Sequence, residues 1–372
     1  MFRILLVVIG ILTGIVGCSK SPEGEKVIKI ALVCPLTGDI AAMGQGMKRG
    51  AEMAVEEANV SDRLAGIKLE LAAFDDRADP KEAVSVANQV ISDTKIVGVI
   101  GHLNSGCSIP ASQIYAKRNL LMMTSASTNP KLTLQGLTNV FRVCTTDDVQ
   151  GSFGANYIID KLKITTAAVI HDKTAYGQGL AEEFKKQFEL RQGKILSFDG
   201  INIGDKDFRA LLVRIKNEKP AMLYFGGMYS EDGLIAKQAK ELGLMVPIVG
   251  GDGVFSPEYI KIGGNATEGN YASMIGVPPE KLPKAKVFMD KFKSKYPEVD
   301  MQPYDPYTYE ATCILIEAIE KTNKEPSQIV DYVSKIKYDG ILGETTFDEK
   351  GDTLNKTISI YQVKDGKFVY CE

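Results

Sequence analysis

Apolar residues recur along the chain at two alternating periods, one typical of strands and one typical of helices. Residues 27–33 form an apolar run rich in β-branched residues and interrupted only by Lys29, whereas residues 43–58 carry apolar side chains at helical spacing. The same alternation predicts strands at 67–74, 96–100, 120–123, 165–170, 194–198, 221–225 and 246–249, and helices at 177–190, 206–217 and 231–242.

Strands that alternate with helices of this length predict an α/β fold built from right-handed βαβ units and parallel sheets. The rhythm breaks at 142–150, so the pattern predicts two sheets rather than one. The tail departs from it, with an amphipathic helix predicted at 307–322 and closing strands at 357–363 and 367–370. A length of 372 residues agrees with two or three domains.

The N-terminal segment predicts export from the cytoplasm. Arg3 precedes an apolar run, 4–16, that is shorter than the ~20 residues needed to span a bilayer. The string Ile-Val-Gly before Cys18 resembles the lipobox of bacterial lipoproteins, in which cleavage precedes the cysteine and that cysteine is lipidated. We therefore expect a signal peptide at 1–17 and a lipid-anchored tether at 18–26, with an uncleaved anchor helix as the alternative.

Charge and composition exclude several kinds of partner. The chain has 44 basic and 47 acidic residues, a formal charge of −3, and a mildly acidic protein of this kind binds nucleic acid poorly. Its two histidines, His102 and His171, are too few for a histidine-rich metal site, and structural roles are favoured for both. Besides Cys18 there are five cysteines without CxxC or zinc-ribbon spacing, which indicates mostly buried thiols with at most one or two disulfides.

Motifs typical of enzymes are missing from the sequence. It contains no GxxxxGK[ST] phosphate loop, no GxSxG nucleophile elbow and no HExxH zinc motif. Gly44 and Gly46 are followed by Gly50, a spacing that differs from GxGxxG. A binding protein without metal or cofactor is therefore favoured over an enzyme.

Polar residues follow several predicted strands, at the sheet edge where open parallel sheets bind ligands. Ser105 and the hydroxyl-rich stretch 124–129 offer donors near helix starts, which suits a carboxylate. Asp252 follows another strand between glycines, so donors on one sheet would face an acid on the other. This arrangement suits a small zwitterion, although Ser and Thr at strand ends are also common helix caps, and an Asp there can begin a turn.

Seven strings occur in a fixed order along the chain: 38–50, Asp75-Asp76 with Asp79-Pro80-Lys81, 99–103, 124–128, Asp147-Asp148 with Gln150-Gly151, 171–179 and 347–352. Together they resemble the branched-chain amino-acid binding proteins of ABC transporters, which are type I periplasmic binding proteins of the Leu/Ile/Val class. The resemblance implies two Rossmann-like α/β lobes with parallel central sheets, joined by a hinge of three crossovers. Lobe I would comprise 27–146 and 276–355, and lobe II 147–275 and 356–372.

The resemblance also implies a set of ligand-binding residues. Ser105 and Thr128 would hold the carboxylate of an amino acid, and the Ala126 carbonyl, the Thr128 hydroxyl and Asp252 would hold its amine. Tyr176 and Tyr304 match positions that line the side-chain pocket. The full candidate set is Met43, Leu103, Ser105, Ala126, Ser127, Thr128, Tyr176, Met228, Asp252 and Tyr304.

Three candidate residues depart from the family pattern. Met228 stands where a tyrosine is usual, Met43 stands at another aromatic position, and Asp252 replaces the commoner glutamate and is one methylene shorter. Because methionine is flexible and apolar, the pocket is expected to accept a larger or differently shaped side chain. Leucine, isoleucine and valine remain the default ligands, with phenylalanine or another apolar amino acid as the alternative.

The expected function is capture of an amino acid outside the cytoplasm, in the periplasm or cell envelope, by a monomer that delivers it to an ABC permease. One alternative is a binding protein of the same fold for an amide, a urea or an aromatic acid. Another is a sensor domain that signals through a partner receptor. An enzyme is a distant third.

We predict that Cys18→Ala abolishes lipid attachment, since this thiol is the acceptor that the lipobox-like string indicates. Mass spectrometry of the mature N-terminus should detect a diacylglyceryl cysteine at position 18 in the wild type, and globomycin should block its processing. Ser19→Ala serves as the control and should leave processing intact. An uncleaved, unmodified N-terminus in the wild type would refute the prediction.

Overall fold

The computed structural model describes residues 26–371, and the leader, the tether and Cys18 lie outside or at the edge of this part of the chain. The first elements form a five-stranded, wholly parallel sheet in the order β2-β1-β3-β4-β5. In chain order these elements are β1 (Lys26–Cys34), α1 (Ala41–Val60), β2 (Ile67–Asp75), α2 (Pro80–Ser92), β3 (Ile96–Gly101), α3 (Ser105–Tyr115), β4 (Leu121–Thr124) and β5 (Val140–Arg142).

The next elements form most of a second sheet, whose order is β14-β13-β10-β9-β8-β6-β7 when the C-terminal strands are included. In chain order they are α4 (Asp147–Tyr157), β6 (Thr166–His171), α5 (Ala175–Leu190), β7 (Lys194–Gly200), α6 (Arg209–Glu218), β8 (Leu223–Gly226), α7 (Tyr229–Glu241), β9 (Ile248–Gly250), α8 (Pro257–Gly263) and β10 (Tyr271–Ile275).

The last third of the chain visits both halves of the molecule. Its helices α9 (Pro283–Lys295), α10 (Asp305–Lys321) and α11 (Pro326–Ser334) and the hairpin of β11 (Tyr338–Gly340) and β12 (Gly343–Thr345) come first. The closing strands β13 (Ile358–Lys364) and β14 (Lys367–Tyr370) then extend the second sheet in antiparallel pairing.

The two halves are therefore joined three times, after β5, after β10 and before β13. Helix α10 packs along α1 and against β3 and β4, which assigns it to the half built on the first sheet. This architecture confirms the predicted fold of two parallel-sheet α/β lobes with three crossovers. We keep the names lobe I and lobe II for the halves that contain the first and the second sheet.

Local sequence explains how individual elements begin and pack. Asp79 caps α2 by accepting hydrogen bonds from the backbone N–H groups of Lys81 and Glu82, at 2.7 and 3.1 Å, and Pro80 suits the first turn that follows. In α1, Gly50 permits the close approach of α10, because a Cβ atom there would lie 2.2 Å from the Asp305 carbonyl oxygen.

Several elements were not predicted from periodicity, namely β5, β10, the helices α3, α4, α8, α9 and α11, and the β11–β12 hairpin. Helix α9 is rich in lysine, and it buries only Ala285, Phe288 and Phe292 on one face. Those three positions keep helical spacing, so a weak signal was present beneath the charged residues. The strands β5 and β10 are short, with three and five residues.

Asp232 in α7 is a buried acid without compensation. It is fully buried, and neither carboxylate oxygen has a hydrogen-bond partner within residues 26–371. Burial, with a further contribution from the charge of Glu231, raises the pKa of Asp232 to about 8. The fold therefore prefers the neutral acid, and the resulting cost is absent below about pH 4, grows with pH and is complete above about pH 8.

We predict that Asp232→Asn increases the free energy of unfolding by roughly 1–3 kcal/mol at pH 8. The asparagine is neutral at every pH, so folding no longer has to bury a carboxylate or protonate it. Urea unfolding at pH 8 and at pH 4 measures the effect, which should largely vanish at the lower pH. Asp290→Asn, at an exposed position of α9, is the control and should change little at either pH. A destabilisation that is equal at both pH values would contradict the prediction.

Candidate functional site

Most of the candidate residues lie in loops or first helical turns at the carboxyl ends of the central strands, where the two lobes face each other. This is the edge at which open parallel sheets place their ligands. Each loop follows a different strand: Leu103 and Ser105 follow β3, Ala126, Ser127 and Thr128 follow β4, Tyr176 follows β6, Met228 follows β8, and Asp252 follows β9.

The lobe I side of the cleft presents hydrogen-bond donors. Ser105 is the first residue of α3, and its hydroxyl oxygen accepts a hydrogen bond from the backbone N–H of Asn129 at 3.2 Å. Its own backbone N–H and that of Thr128 make no hydrogen bond with the described residues. Free N–H groups at the start of a helix are suited to bind a carboxylate.

The loop after β4 is shaped by hydroxyl groups. Thr124 donates to the His102 carbonyl at 2.7 Å and accepts from the backbone N–H of Ser127 at 3.0 Å. The Ser127 hydroxyl lies 2.9 Å from the Leu103 carbonyl oxygen and 2.6 Å from the Ser108 hydroxyl. Ser127 and Leu103 thus bind each other, and the Ser127 hydroxyl is occupied by the protein itself.

The two histidines have structural partners, in line with the sequence interpretation. His102 is fully buried, with Nδ1 2.6 Å from an Asp76 oxygen and Nε2 3.1 Å from the Tyr115 hydroxyl. His171 accepts a hydrogen bond from the backbone N–H of Lys173 through Nδ1, at 3.2 Å, and burial lowers its pKa. His102 therefore fixes the loop that leads to Ser105.

Arg142 holds the Thr128 loop in place and was missed by the sequence analysis. Its guanidinium is fully buried and donates from Nη1 to the carbonyl oxygens of Ser127 and Asn129, at 2.9 and 3.0 Å. Its Nε donates to Asp352 at 2.5 Å and its Nη2 to Thr133 at 2.6 Å. Arg142 thus connects the residues on either side of Thr128 to Asp352, which lies in the segment before β13.

Asp252 lies on the lobe II side and is fully buried between two tyrosines. Tyr176 donates to one carboxylate oxygen at 2.7 Å, and Tyr304 of lobe I donates to the other at 2.6 Å. Burial raises the pKa of Asp252, and the hydroxyls of Tyr304 and Tyr176 oppose that rise by stabilising the carboxylate. The Tyr304 bond crosses the cleft and joins the lobes.

A second acid, Asp147, lies in the same cleft, and the sequence analysis gave it no role. It is the first residue of α4 and is fully buried, and neither carboxylate oxygen has a hydrogen-bond partner in the described chain. Burial raises its pKa well above the usual range; the nearby Thr128 hydroxyl opposes the rise, and the charge of Asp252 adds to it. Its place just beyond β5 was the available signal.

The two methionines expected in the side-chain pocket are both buried at the cleft. Met228 precedes α7, and its sulfur lies beside Gly253 and the Tyr176 ring, since a Cβ atom on Gly253 would be 2.9 Å from both. The neighbouring Tyr229 lies near the backbone of Ala42, the residue before Met43. Met43 and Met228 therefore approach the cleft from opposite lobes.

Further contacts close the cleft around these residues. The Asn129 amide donates to the Ala175 carbonyl at 2.5 Å, and the Ser256 hydroxyl donates to Gln302 at 2.8 Å. At the surface, Lys206 pairs with Asp39 at 2.8 Å. Each contact joins lobe I to lobe II, so the two lobes touch directly around the cleft.

Several other kinds of site are not found in the described residues. The five cysteines at 34, 107, 144, 313 and 371 are unpaired, and no group of acidic, histidine or cysteine side chains there could hold a metal ion. Within 26–371, every helix is too short or too polar to cross a bilayer.

Comparison with known proteins identifies the family. A family model described as periplasmic binding protein matches residues 27–367. The chain belongs to the periplasmic binding protein family. It is 37% identical over 350 residues to Leu/Ile/Val-binding protein homolog 1 of Brucella suis, covering 93% of both chains. It is 36% identical to a leucine-, isoleucine-, valine-, threonine- and alanine-binding protein of Pseudomonas aeruginosa, covering 94% of this chain and 93% of that one.

Solved structures place this binding protein beside branched-chain amino-acid binders. A leucine binding protein, LivK, of Thermotoga maritima matches with a TM-score of 0.86 and 31% identity, covering 93% of this chain and 98% of that one. LivJ of Streptococcus pneumoniae, solved in complex with isoleucine, matches with a TM-score of 0.85 and 26% identity, covering 93% of this chain and all of that one. The resemblance to the branched-chain amino-acid binding family is thereby confirmed.

We predict that Arg142→Met lowers the free energy of unfolding by about 3–5 kcal/mol, because it leaves Asp352 buried without its partner. Arg142→Lys should recover part of the loss, since it keeps the charge but not the planar fork. Urea unfolding monitored by circular dichroism measures both variants. Arg209→Met, which breaks an exposed pairing with Glu241, is the control and should cost less than about 1 kcal/mol. A loss at Arg142 no larger than that control would refute the role of this side chain.

Proposed function

We propose that the chain is the extracytoplasmic substrate-binding component of an ABC transporter and captures a branched-chain or other apolar amino acid. The observation that carries this proposal is the buried cleft, in which free N–H donors of lobe I face the acids at positions 147 and 252. An α-amino acid has the matching pair of charges. The ligands named for the relatives from Pseudomonas aeruginosa and Streptococcus pneumoniae support the same class.

The proposed binding cycle begins on lobe I. The ligand carboxylate binds the Ser105 hydroxyl and the backbone N–H groups of Ser105 and Thr128, and lobe II then closes over the ammonium and the side chain. Lobe I, residues 27–146 and 276–355, and lobe II, residues 147–275 and 356–372, move as two bodies about the crossovers. Closure excludes water and strengthens the charge-assisted hydrogen bonds. Micromolar affinity requires about 8 kcal/mol net.

The side-chain pocket sets the choice of ligand in this proposal. Met43 and Met228 supply flexible thioether side chains from opposite lobes, and Tyr176 supplies an aromatic wall. Such a wall accommodates leucine, isoleucine and valine without a directional contact. Phenylalanine or another apolar amino acid is the second choice of ligand.

The cellular part of the proposal concerns delivery. Lipidation at Cys18 would hold a monomer at the membrane surface in the periplasm or cell envelope, where the closed lobes present the ligand to the permease. Nothing in this cycle calls for a catalytic step, a metal or a cofactor. The N-terminal attachment lies outside the described residues, so its support is the lipobox-like sequence.

We predict that Ser105→Ala weakens leucine binding by about 1–3 kcal/mol, roughly 5- to 150-fold, because the carboxylate loses one hydrogen bond while the backbone donors remain. Isothermal titration calorimetry measures the change, after a thermal-shift screen of the twenty amino acids has identified those that stabilise the wild type. Ser92→Ala, exposed in α2, is the control and should bind as the wild type does.

Two outcomes would contradict this proposal. Unchanged leucine affinity in Ser105→Ala would remove the carboxylate assignment. A screen in which no amino acid stabilises the wild type, whereas an amide, a urea or an aromatic acid does, would replace the proposed ligand class.

A further inference from the structure

A cavity between the two lobes, beside β10 and the crossover after it, contains none of the candidate ligand residues in its walls. Its volume is about 500 Å³, and it is partly open to solvent. Pockets that bind small molecules usually have volumes of roughly 300–1,000 Å³. We call it the interlobe cavity, and its walls include Phe255, Ile260, Tyr361 and Phe368 of lobe II and Met289 and Met301 of lobe I.

The lobe II wall of the interlobe cavity is mainly aromatic. The Phe255 ring contacts Tyr361 of β13 and Phe368 of β14, with ring centroids 4.5 and 4.7 Å apart. Ile260 of α8 is half-buried and extends this wall. Because the rings pack against one another, they present an ordered apolar surface to the cavity.

The lobe I wall carries methionines from α9 and from the segment between α9 and α10. Met289 and Met301 are half-buried and pack against the cluster of Met53, Phe288 and Phe292. Both methionines line the cavity. Since methionine is flexible and polarizable, this wall can adapt to the shape of an occupant.

The polar side chains buried in the walls already have hydrogen-bond partners. The Ser256 hydroxyl donates to the Gln302 side-chain oxygen at 2.8 Å, which joins the two walls. The Tyr307 hydroxyl donates to the carbonyl oxygen of Ile275. Of the buried side-chain polar atoms that lack a partner within 26–371, none belongs to the lining. An occupant therefore meets no buried group that requires a charged partner.

The charged residues of the lining lie at the rim of the interlobe cavity and balance one another. Lys261 and Lys367 are positive, Glu280 and Asp300 are negative, and all four are exposed. Lys261 of lobe II pairs with Asp300 of lobe I at 3.1 Å. The rim therefore favours neither an anion nor a cation, in contrast to the cleft with its two buried acids.

We propose that the interlobe cavity is a second binding site, which takes an uncharged, mainly apolar small molecule that contains a ring. The aromatic wall of lobe II suits the face of a planar ring, and the methionines of lobe I pack against the opposite face. The occupant touches both lobes, so either lobe alone provides only part of the site. This site is independent of the residues proposed to bind the amino acid.

The test uses the intact protein and N-phenyl-1-naphthylamine, an uncharged fluorophore whose emission increases in apolar surroundings. Its analogue 1-anilinonaphthalene-8-sulfonate has the same rings and a negative charge, so the pair reports the preference for an uncharged ligand. The wild type should bind the uncharged probe saturably, one molecule per chain. It should bind the sulfonate at least about tenfold more weakly, because no wall group offsets the cost of burying that charge.

Two substitutions place a carboxylate in the walls, Ile260→Glu from lobe II and Met289→Glu from lobe I. Each should weaken binding of the uncharged probe at least about tenfold, since the bound probe would remove water from the new charge. Val369→Glu in β14 and Val287→Glu in α9 are the matched controls. Both valines are exposed and lie outside the lining, so these variants should bind the probe as the wild type does.

A further variant, Met301→Trp, fills the interlobe cavity without adding a charge and should also weaken the probe. Circular dichroism and urea unfolding establish which variants are folded. The proposal is overturned if the wild type binds no uncharged probe saturably, if it binds both probes equally, or if a folded variant of either wall keeps the wild-type affinity.

Competition separates the interlobe cavity from the amino-acid site. The amino acid that stabilises the wild type best should not displace the probe at saturation, and complete displacement would locate the probe in the cleft and refute the second site. If no amino acid binds the wild type, the proposed function fails, whereas loss of the probe in the variants of both walls still supports the second site.

Discussion

The cost of removing two carboxylates from water dominates the cleft between the lobes. Asp252 meets that cost with two tyrosine hydroxyls, one from each lobe, so the same interaction that compensates the charge also joins the lobes. Asp147 does not meet it within the described protein. A buried acid without compensation favours a cation beside it.

For the carboxylate of a zwitterion, the cleft offers backbone N–H groups in place of a charged side chain. Lobe I places free backbone N–H groups at the start of α3 and in the loop after β4, where no side-chain cation is needed. The Arg142 guanidinium donates to acceptors of the protein and fixes the carbonyl oxygens on either side of Thr128. Preorganised backbone donors of this kind lose little entropy on binding, because the loop is already held.

Much of the fold could be predicted from periodicity, because buried strands and amphipathic helices impose their period on nearby residues. The predicted helix at 177–190 is α5, and the strand at 194–198 lies within β7. Elements with few buried positions, such as the lysine-rich α9, were missed.

In the site, Ser105, Thr128 and Asp252 could be found as polar residues after strands. Arg142 and Asp352 could not, because their 2.5 Å contact joins positions 210 residues apart.

The sequence by itself determined the class of fold, the loops that carry the site and the family. Each of these can be recognised from hydrophobic periodicity or from short strings that occur in a fixed order. Only the tertiary structure decided which polar groups are already satisfied. The side chains of Ser127 and Asp252 have hydrogen-bond partners in the protein, whereas the Thr128 hydroxyl and the Asp147 carboxylate have none among the described residues. Hydrogen-bond partners come from distant segments brought together by packing, so the free acceptors at a site become visible only when the whole chain is folded.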